Sequence, residues 1–235
     1  MVDRVPMWWE WSESGVLSTF CLNLVRVLSV GEMFAAYGAD PERARMLPGA
    51  EADALYPMAA GGALLRVGQL DGWTFCFEDR EAEGLKPGVL ARLCEHSEVV
   101  HLFHAAGMTV VERLENGRRL ESFEPDRHQP PKGSGPHELH NAVRAELRNP
   151  QASSTTVSAL KAVARYAGTE VRWETLTGPL QTSYLPDAQR ESLASTPPTP
   201  GGSAPLADLG QYLGTLDVPQ STEEAESLRD GWTLG

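Results

Sequence analysis

Three aromatic residues set two apart, Trp73, Phe75 and Phe77, constrain this chain more than any other stretch. Only an extended backbone puts residues i, i+2 and i+4 on one side, so they predict a half-buried strand with an aromatic face. Upstream, Ala63, Leu65 and Val67 alternate with Leu64 and Arg66. The Gly-containing stretch from Gly68 to Gly72 joins the two runs as a hairpin. Glu78 ends the aromatic run on the opposite side from Trp73, so it either faces water or sits in a cleft over the sheet.

Further strands are expected over 98–104, 108–115 and 118–124. Asn116-Gly117 is the strongest hairpin signal, because a tight two-residue turn needs positive φ at both positions. Ahead of this block, Leu17, Phe20, Cys21, Leu24, Val25 and Leu28 recur at helical spacing and predict a first helix. Ser29 and Glu32 have capping-box spacing and open a second helix, which Gly38 ends. Asp40-Pro41 reads as an N-cap and first position of a short helical turn reaching Arg45. Pro87 starts a helix carrying Val89, Leu90 and Leu93.

The Pro- and Gly-rich residues 125–136 form a loop. A helix over 137–148 follows, then one capped by Ser154 or Thr155 and ended by Gly168, then a short one around Glu174 to Leu176. Helices, strands, then helices argue for an α+β fold. The expected architecture is a largely antiparallel sheet of about five strands, packed by N-terminal and C-terminal helices. It occupies 1–190 as one domain. Residues 191–235 are a Pro/Gly/Ser-rich linker and an acidic tail, expected to be disordered.

Of the 235 residues, 41% are hydrophobic, enough for a sizeable core, and the formal net charge is -12. Residues 1–125 carry net -8, residues 126–190 net +2 and residues 191–235 net -6. An acidic chain is a poor match for nucleic acid, whose phosphates require a basic surface. Three widely spaced cysteines, Cys21, Cys76 and Cys94, read as free thiols in a reducing compartment. The start lacks the pattern of a signal peptide, and Val16 to Val30 is too short and too polar to span a membrane. A soluble cytoplasmic protein is expected.

Several positions together resemble an uncharacterised actinobacterial family, the domain of unknown function numbered six-four-six-one. They are Phe20-Cys21-Leu22-Asn23-Leu24-Val25-Arg26, Gly72-Trp73-Thr74 with Glu78, Leu93 to Val100, Asn116-Gly117 and Phe123-Glu124-Pro125. The resemblance spans roughly residues 8–180. It implies a single α+β domain of actinobacterial origin, and no activity, cofactor or catalytic residue.

The chemistry-bearing residues form few convincing sets. His101 and His104 lie three apart on an expected strand and so point to opposite faces. His137 and His140 can share a helix face but lack the further ligands a zinc site needs. Cys94 and His96 are close in sequence, which does not establish a thiolate–imidazole pair. No phosphate-binding glycine loop is present. Neither a metal nor a cofactor is expected. Arg144 and Arg148, with Lys161 and Arg165, are i, i+4 pairs that offer an anion-binding patch. Trp8, Trp9 and Trp11 offer an aromatic anchor for a partner, as Trp does at interface hot spots.

These observations favour a non-catalytic protein-interaction, accessory or immunity-like protein whose partner is another protein, with no nucleic-acid or membrane role. The alternative is an enzyme or biosynthetic accessory with a small-molecule pocket over the sheet near Glu78, using Glu78 and His101.

Overall fold

The computed structural model describes residue 12, residues 19–57, 59, 61–149, 152, 154–187 and 189–190. Trp8, Trp9, Trp11 and the expected tail at 191–235 lie outside the described residues.

The chain forms an α+β fold with an eight-stranded antiparallel sheet. The elements run β1 (Thr19–Arg26), α1 (Val30–Tyr37), β2 (Arg45–Leu47), α2 (Gly49–Leu55), β3 (Ala63–Leu70), β4 (Trp73–Glu78) and α3 (Pro87–Leu93). Then come β5 (Glu98–Ala105), β6 (Met108–Glu115), β7 (Arg118–Phe123), α4 (Glu138–Leu147), α5 (Thr155–Ala167), α6 (Trp173–Thr177) and β8 (Leu180–Leu185). Among the described residues, Pro41–Arg43 and Glu83–Leu85 form 3-10 turns. Spatial strand order is β2-β8-β3-β4-β1-β5-β6-β7.

The expected first helix is a strand. β1 pairs with β4 on one side and β5 on the other, and both of its faces are covered. A strand buried on both faces shows no polar alternation, so its apolar run fits a helical template by coincidence. The sheet also exceeds the expected five strands. β1, the three-residue β2 and β8 account for the difference.

Local chemistry sets the other boundaries. Ser29 Oγ accepts the Glu32 N–H at 3.2 Å, and the Glu32 carboxylate accepts the Ser29 N–H at 2.8 Å, a complete capping box. Gly38 closes α1 with φ of 80°. Asp40 caps the turn that Pro41 begins. Tight turns at Asp71-Gly72, Ala106-Gly107 and Asn116-Gly117 all have positive φ at both positions, matching the twist of the strands they join. The edge of β7 is covered by the Pro-rich loop, through the pair Ser122–Lys132 and the Gly135 N–H on the Leu120 carbonyl.

The two sheet faces differ. Phe20, Leu22, Leu24, Trp73, Phe75, Phe77, Val100 and Leu102 pack with residues of α4, α5 and α6 in one apolar core. The opposite face is met by α1, α3 and the Glu83–Leu85 turn.

Candidate functional site

β1 sends Phe20, Leu22 and Leu24 into the apolar core, so Cys21, Asn23 and Val25 project to the other side. Register then builds a polar row. Asn23 lies opposite Cys76 of β4 and His101 of β5, His101 lies opposite Glu112 of β6, and Cys21 lies opposite Glu78. All six side chains are buried.

Asn23 organises the row. Its Nδ2 donates to the Tyr37 hydroxyl at 2.7 Å and to the Gly84 carbonyl at 3.3 Å. Its Oδ1 therefore faces His101 Nδ1, at 2.8 Å, as acceptor. This pattern assigns the imidazole proton to Nδ1 and leaves Nε2 with a bare lone pair. Glu78 accepts the backbone N–H groups of Glu83 at 2.8 Å and Gly84 at 2.9 Å. The carboxylate thus fastens the Glu83–Leu85 turn over the sheet. Gly84 has to be glycine. A Cβ there would lie 2.8 Å from Glu78 Oε1 and 2.5 Å from the Tyr37 hydroxyl, and closer still to Asn23 Nδ2.

Burial controls the protonation of these groups. It pushes the Glu78 carboxyl up to about 8, against the pull of the Gly84 and Glu83 N–H groups. It pushes His101 down to about 3, assisted by the positive charge of Arg119. The Cys21 and Cys76 thiols and the Tyr37 hydroxyl are raised well above their ordinary values, again chiefly by burial. Near neutral pH the row holds inert thiols and a neutral imidazole.

The structure brings Glu78 and His101 onto one face, linked through Asn23 and Gly84. Glu78 is neither in water nor in a cleft, at 1% exposure, and His101 is at 0%. His104 points the other way. Its ring meets Phe20 at a tilt, 5.6 Å between centroids, and its Nδ1 lies 3.1 Å from both Thr109 Oγ1 and Thr156 Oγ1. Cys94 is buried while the His96 side chain is 87% exposed beside Glu95, so the two do not form a pair. His137 precedes α4, and His140 meets Phe123 edge-on at 5.0 Å. Among the described residues no group of three His, Cys, Asp or Glu side chains could hold a metal ion.

The basic pairs divide. Lys161 and Arg165 line an open groove of about 850 Å³ between the end of α5, α6 and the β3–β4 turn. Glu146, Glu170, Arg172 and Asp71 line it too. Arg165 is paired with Glu146 at 2.5 Å and Arg172 with Glu170 at 2.9 Å, so both signs of charge are already matched along its wall. Arg148 is exposed and Arg144 half-buried on α4, and neither lines the groove.

Several structural groups escaped sequence reasoning. Asn23 carried one signal, as a lone amide within an apolar run. Glu121 carried none. It accepts the Leu139 N–H at 3.1 Å and the His140 N–H at 3.0 Å, anchoring the start of α4, while binding Arg113 at 3.1 Å. Arg113 also reaches the Tyr166 hydroxyl at 2.9 Å and the Pro136 carbonyl at 2.8 Å. Arg66 is likewise internal, donating to the carbonyls of Leu176, Leu47 and Gly178. Arg190 gathers Glu81, Glu83 and Asp187.

Among the described residues no helix is long and apolar enough to cross a membrane. The profile of a family of unknown function matches residues 6–178. No curated protein and no solved structure matches the chain.

Proposed function

The chain belongs to that family, DUF6461, and we propose that it works as a non-catalytic interaction or accessory protein whose target is another protein. One observation carries this reading: on the sheet face that bears Glu78 and His101, the Glu83–Leu85 turn closes over Glu78 and Asn23. A ligand pocket needs convergent polar groups around open volume. Here the backbone of the Glu83–Leu85 turn takes both Glu78 oxygens, and Gly84 packs against Asn23, Tyr37 and Glu78. The row's hydrogen bonds hold a turn and a helix to the sheet, which is structural work.

Recognition then falls to the outer surface. The net charge of -12 suits a basic protein partner, since complementary potential speeds encounter and is screened over about 8 Å at physiological salt. The same charge disfavours nucleic acid.

Affinity capture from the native host on the full-length chain at low salt, followed by rebinding of the captured protein in purified form, tests the reading. The expected result is one protein partner whose binding weakens as salt rises and is unchanged by Glu78→Gln. Recovery of no partner at low salt, or turnover of a metabolite that Glu78→Gln abolishes, would overturn it.

A further inference from the structure

On the polar face, five buried side-chain atoms make no hydrogen bond of good geometry within the chain: His101 Nε2, both carboxylate oxygens of Glu112, and Nε and Nη2 of Arg119. They sit on three consecutive strands. His101 and Glu112 are register partners, and the β-bulge between Arg113 and Leu114 sets the register that brings Arg119 to Glu112, with Arg119 Nε 3.4 Å from Glu112 Oε1. His101 and Glu112 are at 0% exposure, and the Arg119 side chain is 10% exposed. Buried polar atoms are almost always paired, so five together on one face need a cause.

Their chemistry is complementary to one small molecule. The Asn23 contact fixes His101 Nε2 as a bare acceptor. Glu112 is an acceptor as well, so two acceptors stand side by side with no hydrogen between them. Arg119 offers only donors. A small shift closes Arg119 Nε onto Glu112 Oε1, and Ser122, opposite Glu112, lies beside the same carboxylate. What remains is one lone pair on His101, one Glu112 oxygen and the two N–H groups of Arg119 Nη2. A single water joins the three residues: its two hydrogens go to the two acceptors and one lone pair takes one N–H of Arg119 Nη2. Internal waters typically make about three such bonds.

We infer that one long-lived water molecule is bound between His101, Glu112 and Arg119 as an integral part of the fold. It keeps Glu112 from taking His101 as its direct partner. It thereby preserves the tautomer that Asn23 requires. This inference is independent of the partner proposed above.

Water–protein cross-relaxation and imidazole nitrogen shifts of the full-length chain test it. The expected signals are an exchange peak between a slow water and the His101 ring protons, and an Nδ1–H tautomer. In His101→Phe, which removes the lone pair, the count of slow waters from magnetic relaxation dispersion should fall by about one. An Nε2–H tautomer in direct contact with Glu112, or an Arg119 N–H bonded straight to Nε2 without a slow water, would overturn the inference. These wild-type measurements decide the matter even where His101→Phe does not fold.

Discussion

The two faces of the sheet hold the molecule together by different physics. One is a continuous apolar layer in which Phe20, Leu22, Leu24, Phe75 and Phe77 meet the rear helices. The other sets, among buried Val25, Leu65, Val67 and Val99, a row of amide, imidazole, thiol and carboxyl groups that meets α1 and the Glu83–Leu85 turn through directed hydrogen bonds. Apolar contact is non-directional and gains with area, so it tolerates rearrangement. Hydrogen bonds in a dry interior add little net stability when made, yet leave a large penalty when one partner is lost. Both faces bury apolar side chains, and the directed bonds of the polar row add the specification of which turn and helix sit where.

This contrast can be broken from either side. The largest loss is expected from Phe75→Ala on the apolar face, about 3–5 kcal/mol, read from the denaturant midpoint. Gly84→Ala tests the polar face with a single added carbon. It should cost about 1–3 kcal/mol or more, because Asn23, Tyr37 and Glu78 surround the new Cβ. Gly72→Ala differs in kind. Nothing lies within 4 Å of its Cβ, so only its φ of 86° opposes the change. Equal losses at the two glycines would remove the argument that Gly84 is chosen for close packing.

Stability against pH sharpens the comparison, because the titrating pair sits on the polar face alone. Glu78 is raised from 4.5 to about 8, so the folded state holds its proton more tightly. That contribution is complete below pH 4.5 and is lost as pH rises through about 8. His101 is lowered from 6.5 to about 3, so its contribution is complete above pH 6.5 and is lost as pH falls towards 3. Between 4.5 and 6.5 the two slopes, each about 1.4 kcal/mol per pH unit, cancel. The pair therefore predicts a plateau across that window with a decline on either side. Glu78→Gln should remove the alkaline decline and His101→Gln the acid one, as measured by thermal unfolding over a pH series. An alkaline limb unchanged in Glu78→Gln contradicts the assignment.

The smallest effect is a gain. Val27 follows β1 with φ of 56° and is 86% exposed, a left-handed conformation that a β-branched residue strongly disfavours. Val27→Gly should raise stability by about 1 kcal/mol, visible as a modest increase in Tm.

The same contrast decides what could be read from the chain. Trp73, Phe75 and Phe77 announced their strand because one face is greasy and they alternate with smaller residues. Asn116-Gly117 announced its turn because few pairs accept positive φ twice. The capping box at Ser29 and Glu32 was equally plain, being local. β1 was misread as a helix because burial on both sides erases the period of two. β2 has only three residues, and β8 pairs with β3 over a separation of more than a hundred residues, beyond any local signal. The polar row was half legible. Glu78 was separated from the aromatic face by parity, and His101 from His104 by the same rule. Their link through Asn23 and Gly84, and the sealing role of Gly84, emerge only when β1 is inserted between β4 and β5.

That insertion has a consequence for biosynthesis. Thr19–Arg26 leaves the ribosome before both of its neighbours, Trp73–Glu78 and Glu98–Ala105. The nascent polypeptide must carry this largely apolar ribbon, with both hydrogen-bonding edges open, until Ala105 has been made. During that interval its open edges can pair with any other exposed strand.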